Sequence, residues 1–362
     1  MPVSKSQANQ RAGRAGRESA GKCFRLYPED AFETLQELTI PEIQRMNIAQ
    51  VFLQLKTLNV ASFKTFPFLS SPTPMVARQA LETLLVLGAL DKDQQLTEIG
   101  RQIALLPLHP TYAFFLLKAR DFHCVQEALI AVSVLSADTI FMQPFREEDK
   151  QRAFHCHRLF ASRDGDILTL VNVFQQWAKA NKDKHWAAKN FLSHRALLHA
   201  ENIKDQLTTL LRDKLRIDVT LSCFPEEKEK FLKCLCFCFA ANVAQSIQSV
   251  EVSKSQQQVS KASSNLVVKN NKFAFTSTSS QLSESLDAQN ITGAPYRTLR
   301  GHQFVHIHPS SVLFSMIKTK KLPAFVLYAD LLTTNKQYMR NISVIDGSWL
   351  SELFPQKFKT VT

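Results

Sequence analysis

Apolar positions recur at helical spacing over most of the chain and switch to strict alternation only towards its C-terminal end. Ile43, Met46, Ile48, Val51, Leu55 and Leu58 predict a helix across PEIQRMNIAQVFLQLKTL, with Pro41 in its first turn. After the turn-rich FLSSPTP, Ala80, Leu81, Leu84, Leu85 and Leu87 form a second apolar stripe that stops at Gly88. The following DKDQQLTEIGRQIA predicts a turn, a short strand and a third helix. FHCVQEALIAVSVLSADTIF, REEDKQRAFHCHRLFAS, GDILTLVNVFQQWAKA and WAAKNFLSHRALLHAENIKDQLTTLLRDKL all carry the helical period. Residues 107–216 are therefore expected to form a helical bundle, with Gly165 the one glycine within it. EEKEKFLKCLCFCFAANVAQSI predicts one more helix over 226–247.

Alternation takes over after that. YRTLRGHQFVHIHPSSVLF, AFVLYADLLTTN and QYMRNISVIDGSWL predict strands that close as a small β-barrel. Between helix and strands, residues 249–292 are rich in Ser, Gln and Asn and poor in large apolar residues, which predicts a disordered insert. At the other end, KCFRLY alternates and predicts one short strand, and Pro28-Glu29-Asp30 marks a turn or helix start. Three helices followed by a small wing, as in residues 41–106, is the outline of a winged-helix module.

Composition narrows the function classes. Apolar residues make up 45% and charged residues 21%, so the chain has material for real cores. It carries no run of 18 apolar residues, and MPVSKSQANQRAGRAGR lacks the apolar centre of a signal peptide. Seven cysteines, an odd number, fit a reducing compartment better than a disulfide framework. Lys and Arg number 44 against 32 Asp and Glu, a net charge of +12, which points to an acidic partner, most often nucleic acid. Nine glycines in the whole chain suit a helix-rich body, and three of them, Gly13, Gly16 and Gly21, stand near the N-terminus. Phosphate chemistry is thus expected there or nowhere, because phosphate cradles need glycines in tight groups.

The strongest chemical signal is the octet Gln10-Arg11-Ala12-Gly13-Arg14-Ala15-Gly16-Arg17. Its long polar side chains recur about every three residues, which predicts that they line one side of a helix. Planar guanidinium forks suit bidentate phosphate contact, and the small residues between them allow close approach. The bland alternative is a solvated basic helix or an import patch. Just downstream, Gly16 to Cys23 comes close to G-x-x-x-x-G-K-[ST], but Cys23 has no hydroxyl for magnesium and the expected order is helix then strand, the reverse of a P-loop. Cys234, Cys236 and Cys238 lie within an apolar helical stretch and are expected to be buried thiols, not zinc ligands. His306 and His308 share one strand face and are read as structural or RNA-facing.

QRAGRAGR, then GKCFRLY, then PEIQR resembles the DEAH-box RNA helicase family, at the motif that closes its second RecA-like motor domain. The resemblance runs the length of the chain. PEIQRMNIAQVFLQLK, PTPMVARQALETLLVLGALD and LTEIGRQIALLPLHP resemble the family's winged-helix domain. CVQEALIAVSVLS, GDILTLVNVFQQW and WAAKNFLSHRALLHAENIKDQL resemble its helical ratchet (HA2) domain. YRTLRGHQFVHIHPSSVLF and YADLLTTNKQYMRNISVIDGSWL resemble its OB-fold. The implied fold class is mainly α with a C-terminal β-barrel: winged helix, ratchet bundle and OB-fold, preceded by a remnant of a RecA-like α/β domain. The implied boundaries are 1–36 for the remnant, 37–106 for the winged helix, 107–225 for the ratchet and 226–362 for the OB-fold with its insert at 249–292.

The resemblance also implies roles. Gln10 would approach the γ-phosphate and its attacking water, and Arg14 and Arg17 would bind ATP and act as arginine fingers. RNA contacts fall on Lys318, Lys320, Lys321, Lys336 and Arg340. ATP and magnesium are the implied cofactors of the full-length parent, none complete in this chain. RNA and a G-patch-type or other activator protein are the implied partners, with no membrane, and the implied compartment is intracellular, nuclear or nucleolar, or the cytoplasm. The chain departs from the family pattern at Ile167, where His is usual, and the P-loop and acidic box are not in it. It reads as the C-terminal portion of such a helicase, a partial chain not expected to hydrolyse ATP alone. The competing reading is a stand-alone module that binds RNA or regulates a helicase.

Overall fold

A computed structural model describes residues 3–60, 62–63, 66–247, 296–314 and 322–355. The predicted insert at 249–292 lies outside the described residues, as do Lys318, Lys320 and Lys321. The chain divides into two compact units, Met1–Ala104 with Leu108–Pro110, and Leu105–Pro107 with Thr111–Thr362.

The first unit carries helices α1 (Lys5–Arg14), α2 (Glu29–Glu33), α3 (Ala49–Thr57), α4 (Pro74–Val86) and α5 (Glu98–Ala104). Ser4 caps α1, its hydroxyl accepting the Gln7 amide at 3.2 Å. α3 starts later than the apolar spacing predicts. The Asn47 side-chain Oδ1 accepts the Ala49 amide at 2.9 Å and ends the irregular approach there, while residues 42–44 make only a 3₁₀ turn and Met46 stays exposed. α4 follows the prediction: Thr73 caps it, Pro74 opens it, and Gly88 leaves it at φ +67°, a left-handed position that glycine occupies freely. The predicted strand of the wing reduces to a single bridge between Leu90 and Leu96. The Asp91 carboxylate pins the turn between them by accepting the amides of Asp93 and Gln95 at 2.9 and 2.8 Å.

KCFRLY forms no strand. With no neighbouring strand among the described residues to take its backbone groups, it stays irregular, and Phe24 and Leu26 are 82% and 98% exposed. Side chains hold it instead: Arg25 donates to Asn9 Oδ1 at 2.8 Å and lies 4.1 Å over the Phe32 ring. Residues 1–36, expected as a RecA-like remnant, thus hold two helices and an irregular segment, with no strand among the described residues.

The second unit opens with α6 (Pro110–Ala119), α7 (Val125–Ser136), α8 (Glu147–Phe160), α9 (Asp166–Lys179), α10 (Lys184–Lys189), α11 (His194–Asp213) and α12 (Lys228–Cys238). α7 is apolar nearly all round and is the buried middle helix, packed against α9 and α11. The long helical stretch predicted from Trp186 onwards is broken between α10 and α11, where Phe191 turns to φ +54° and Ser193 caps the new helix.

Among the described residues five strands follow: β1 (Val243–Ser246), β2 (Tyr296–Thr298), β3 (Phe304–Ile307), β4 (Phe325–Thr333) and β5 (Gln337–Ile345). They close as a barrel in the order β1-β2-β3-β5-β4, with β3 and β5 parallel and every other pair antiparallel. The barrel core is filled by Tyr296, Val305, Ile307, Val326, Tyr328 and Met339, among others. β1 corrects the sequence reading, which continued a helix to residue 247. The run after Cys238 suits either period, and pairing with β2 and β4 decides for strand. A final helix, α13 (Gly347–Leu353), is capped by Asp346, so GSWL is helical and not the tail of a strand.

Candidate nucleotide-facing and RNA-facing surfaces

The octet begins on α1, but the helix stops at Arg14, with Ala15 as its C-cap. Gln10, Arg11 and Arg14 are helical and exposed, whereas Arg17 lies in the bend beyond, so the expected single row along one helix is broken after Arg14. Gly13 and Gly16 are poor helix formers and favour an early stop. Gly21 then brings the chain back over the helix end: a Cβ there would stand 2.1 Å from the Ala15 carbonyl oxygen. Among the described residues, the Arg14 and Arg17 side chains make no hydrogen bond or ion pair within the chain. Two uncommitted guanidinium groups within one turn suit a phosphate. No group of His, Cys, Asp or Glu among the described residues is arranged to hold a metal ion.

A second surface is the outer face of the barrel. Phe304 and His306 point outward from β3, and His308 follows just beyond its end. Register places Tyr338 of β5 beside His306, with ring centroids 5.7 Å apart, and Tyr338 is also 5.7 Å from His308. Arg340, two residues on, is exposed, and Arg297 of β2 lies 5.9 Å over the Phe304 ring. Lys336 sits in the β4–β5 turn, where its carbonyl accepts the Thr334 amide at 2.9 Å and its side chain is left exposed.

The barrel is tied to the bundle at the start of α9. The Asp166 carboxylate accepts three hydrogen bonds, from Ser311 Oγ at 2.9 Å, from the Val312 amide at 2.8 Å and from the Ile342 amide at 2.8 Å. Loss of water around it raises its pKa above the ordinary carboxylate value, and the three donors oppose that rise. Gly165 stands at φ +118°, where a Cβ would meet the Ile342 carbonyl oxygen at 2.3 Å. Asp164 completes the junction: its carbonyl accepts the Val344 amide and its carboxylate pairs with Lys228 at 2.7 Å.

Cys234, Cys236 and Cys238 are buried on α12. Burial pushes the Cys236 thiol up to about 12 and holds Cys234 well above its usual value, so those two thiols are protonated packing groups. Cys124 lies within hydrogen-bonding reach of Cys223 and Cys234, and Cys223 donates to the buried Glu127 at 3.7 Å.

Family models match the chain in three successive stretches. The winged-helix part of the helicase-associated domain (HA2) matches residues 80–108, its ratchet-like part residues 109–170, and the oligonucleotide/oligosaccharide-binding (OB) fold residues 231–357. The human "Probable ATP-dependent RNA helicase DHX35" is 37% identical over 100% of this chain and 44% of its own length. The mouse "ATP-dependent RNA helicase DHX33" is 35% identical over 99% of this chain and 44% of its own. The Arabidopsis thaliana "Pre-mRNA-splicing factor ATP-dependent RNA helicase DEAH10" is 34% identical over 99% of this chain and 45% of its own. Over its whole length this chain matches the C-terminal part of DEAH-box RNA helicases. It spans less than half the length of the relatives it matches.

Within that family frame, the structure brings Gln10, Arg11 and Arg14 together on one exposed helix and sets Arg17 on the turn that follows. It places Lys336 at a turn of the OB barrel and Arg340 on an outer strand face, and it adds Phe304, Tyr338 and Arg297, which the sequence reading did not single out. Their signal was present in F-x-H-x-H and in Y-M-R, where alternate residues are aromatic or basic. Among the described residues no helix is long and apolar enough to cross a membrane.

Proposed function

We propose that this chain is the RNA-handling C-terminal part of an ATP-dependent DEAH-box RNA helicase. The observation that carries the reading is the succession of winged-helix, ratchet and OB-fold matches in the order of these helicases, with a basic octet ahead of them. The four-part division at 1–36, 37–106, 107–225 and 226–362 belongs to the same proposal.

In this reading Arg14 and Arg17 face the γ-phosphate and stabilise the charge that spreads over it during transfer, and Gln10 orients the attacking water. Their side chains are exposed and, for the two arginines, uncommitted, as that role requires. ATP with magnesium supplies the phosphoryl group when bound, and the ligands of the metal come from outside the described residues. RNA passes over the OB barrel and its neighbours, held by Lys318, Lys320, Lys321, Lys336 and Arg340 through its backbone. A G-patch-type activator and a nuclear or nucleolar location complete the proposal.

The test is RNA binding and phosphate release by the purified chain. Binding to single-stranded RNA should fall steeply with salt, and phosphate release should stay at background with and without RNA. Absence of RNA binding at low salt would overturn the reading. Measurable ATP turnover by the chain alone would overturn its assignment as a part without a complete hydrolytic site.

A further inference from the structure

The sheet face made by β2, β3 and β5 carries an unusual outward composition. Its side chains, read across the strands, are Arg297, Phe304, His306, Tyr338, His308 and Arg340. Four rings stand together on a solvent-facing surface with a guanidinium at either end. Tyr338 bridges both imidazoles, tilted at 43° to His306 and nearly perpendicular to His308. We propose that this face is a stacking ledge for two adjacent bases of single-stranded RNA, one over Phe304 and one over the His306–Tyr338–His308 group. The proposal rests on the RNA-handling reading above and deepens it by assigning base contacts to residues beyond the backbone-binding lysines.

Three features favour bases over any other occupant. The rings are flanked by Arg297 and Arg340, which match the charge of a nucleic-acid backbone running along both edges. The acid opposite Arg340 on β4, Asp330, is already engaged, its carboxylate accepting from Asn341 Nδ2 at 3.2 Å. The ledge is also built before any ligand arrives. The Ser310 amide donates to His308 Nδ1 at 3.2 Å, so Nδ1 accepts, Nε2 carries the proton, and the ring plane is held. Burial, and then the charge of Arg340, lower the His308 pKa, which keeps the ring neutral near pH 7 and its π-face available to a base. Phe304 and His306 are two residues apart on one strand, roughly 6.6 Å, too far for two bases to stack on each other as well as on the rings. The geometry therefore selects an extended strand with splayed bases.

The test uses the full chain and a short oligouridylate carrying one fluorescent purine analogue, with a matched RNA whose bases are removed at two adjacent positions. Wild-type protein should quench the analogue on binding and should bind the base-less RNA about tenfold more weakly. Tyr338→Ala and Phe304→Ala should each weaken binding of the intact RNA by about tenfold and reduce the quenching, and Tyr338→Phe should restore both. The comparison of the two RNAs needs only wild-type protein, so it decides even if a variant fails to fold. Tight RNA binding that is indifferent to the missing bases and to both alanine variants would overturn the ledge and leave the RNA-handling reading standing. No RNA binding at low salt would overturn both.

Discussion

Asp166 at the start of α9 accepts the backbone amide of Ile342 on β5 at 2.8 Å, across 176 residues of sequence. The same carboxylate takes two more donors from the Ser311–Val312 corner. One side chain thus closes three polar groups of the barrel against the first turn of a bundle helix, where a negative charge is also favoured by the helix dipole. Asp166→Ala should leave those donors without an acceptor and cost about 2 kcal/mol or more of stability, read as a lower midpoint in urea unfolding of the full chain. A midpoint within experimental scatter of wild type would show that water replaces the carboxylate at no cost.

Gly165 tests the same junction through the backbone. At φ +118°, with the Ile342 carbonyl oxygen 2.3 Å from the place of a Cβ, alanine meets both strain and a clash with a strand that cannot move freely. Gly165→Ala should destabilise by about 2–4 kcal/mol, whereas alanine at Gly13, which has open space around it, should be neutral or slightly stabilising through helix propensity. Thermal unfolding of the two variants side by side gives the comparison.

His157 predicts a pH dependence with a defined sign. Burial lowers its pKa below the model-peptide value of 6.5, and its Nε2 donates to the Phe191 carbonyl at 3.1 Å. The neutral ring is therefore favoured in the folded state. Its contribution is fully present above pH 6.5 and is lost as pH falls through the lower folded value. His157→Gln should flatten the loss of stability on acidification from pH 7 to pH 5, measured by urea unfolding at each pH, with an unchanged slope counting against the assignment.

The salt dependence of RNA binding should count backbone contacts. On single-stranded RNA each phosphate contact adds about 0.7 to the slope of log affinity against log salt. Lys336→Ala and Arg340→Ala should each lower that slope by about this amount while leaving the preference for intact bases over base-less RNA in place. A double variant with the wild-type slope would remove both residues from the RNA path.

Much of the fold was legible because local physics wrote it. The stripes of α4 and α9 and the left-handed Gly88 that ends α4 follow from residues within one or two turns of one another. The misreadings fall where distant partners decide. Val243–Ser246 is a strand because β2 and β4 flank it, and KCFRLY is irregular because no strand among the described residues does. Two helix ends were moved by local effects the periodicity does not carry: Asn47 Oδ1 takes the Ala49 amide at the start of α3, and the glycines at 13 and 16 favour the early stop of α1. Of the candidate site, the octet and the two histidines stood out from residue type and spacing, but the company of Tyr338 and Arg297 required the parallel pairing of β3 with β5 and the β2–β3 register.

By itself the sequence determined the helical body, the barrel-forming alternation near the C-terminal end, the basic balance and the arginine octet, since each depends on spacing or composition over a short window. Only the tertiary structure decided which carboxylate joins bundle to barrel and which rings share a face. Asp166 and Ile342, or His306 and Tyr338, meet through strand order and register, and those are set by the burial of the whole barrel core, a property no local window of residues contains.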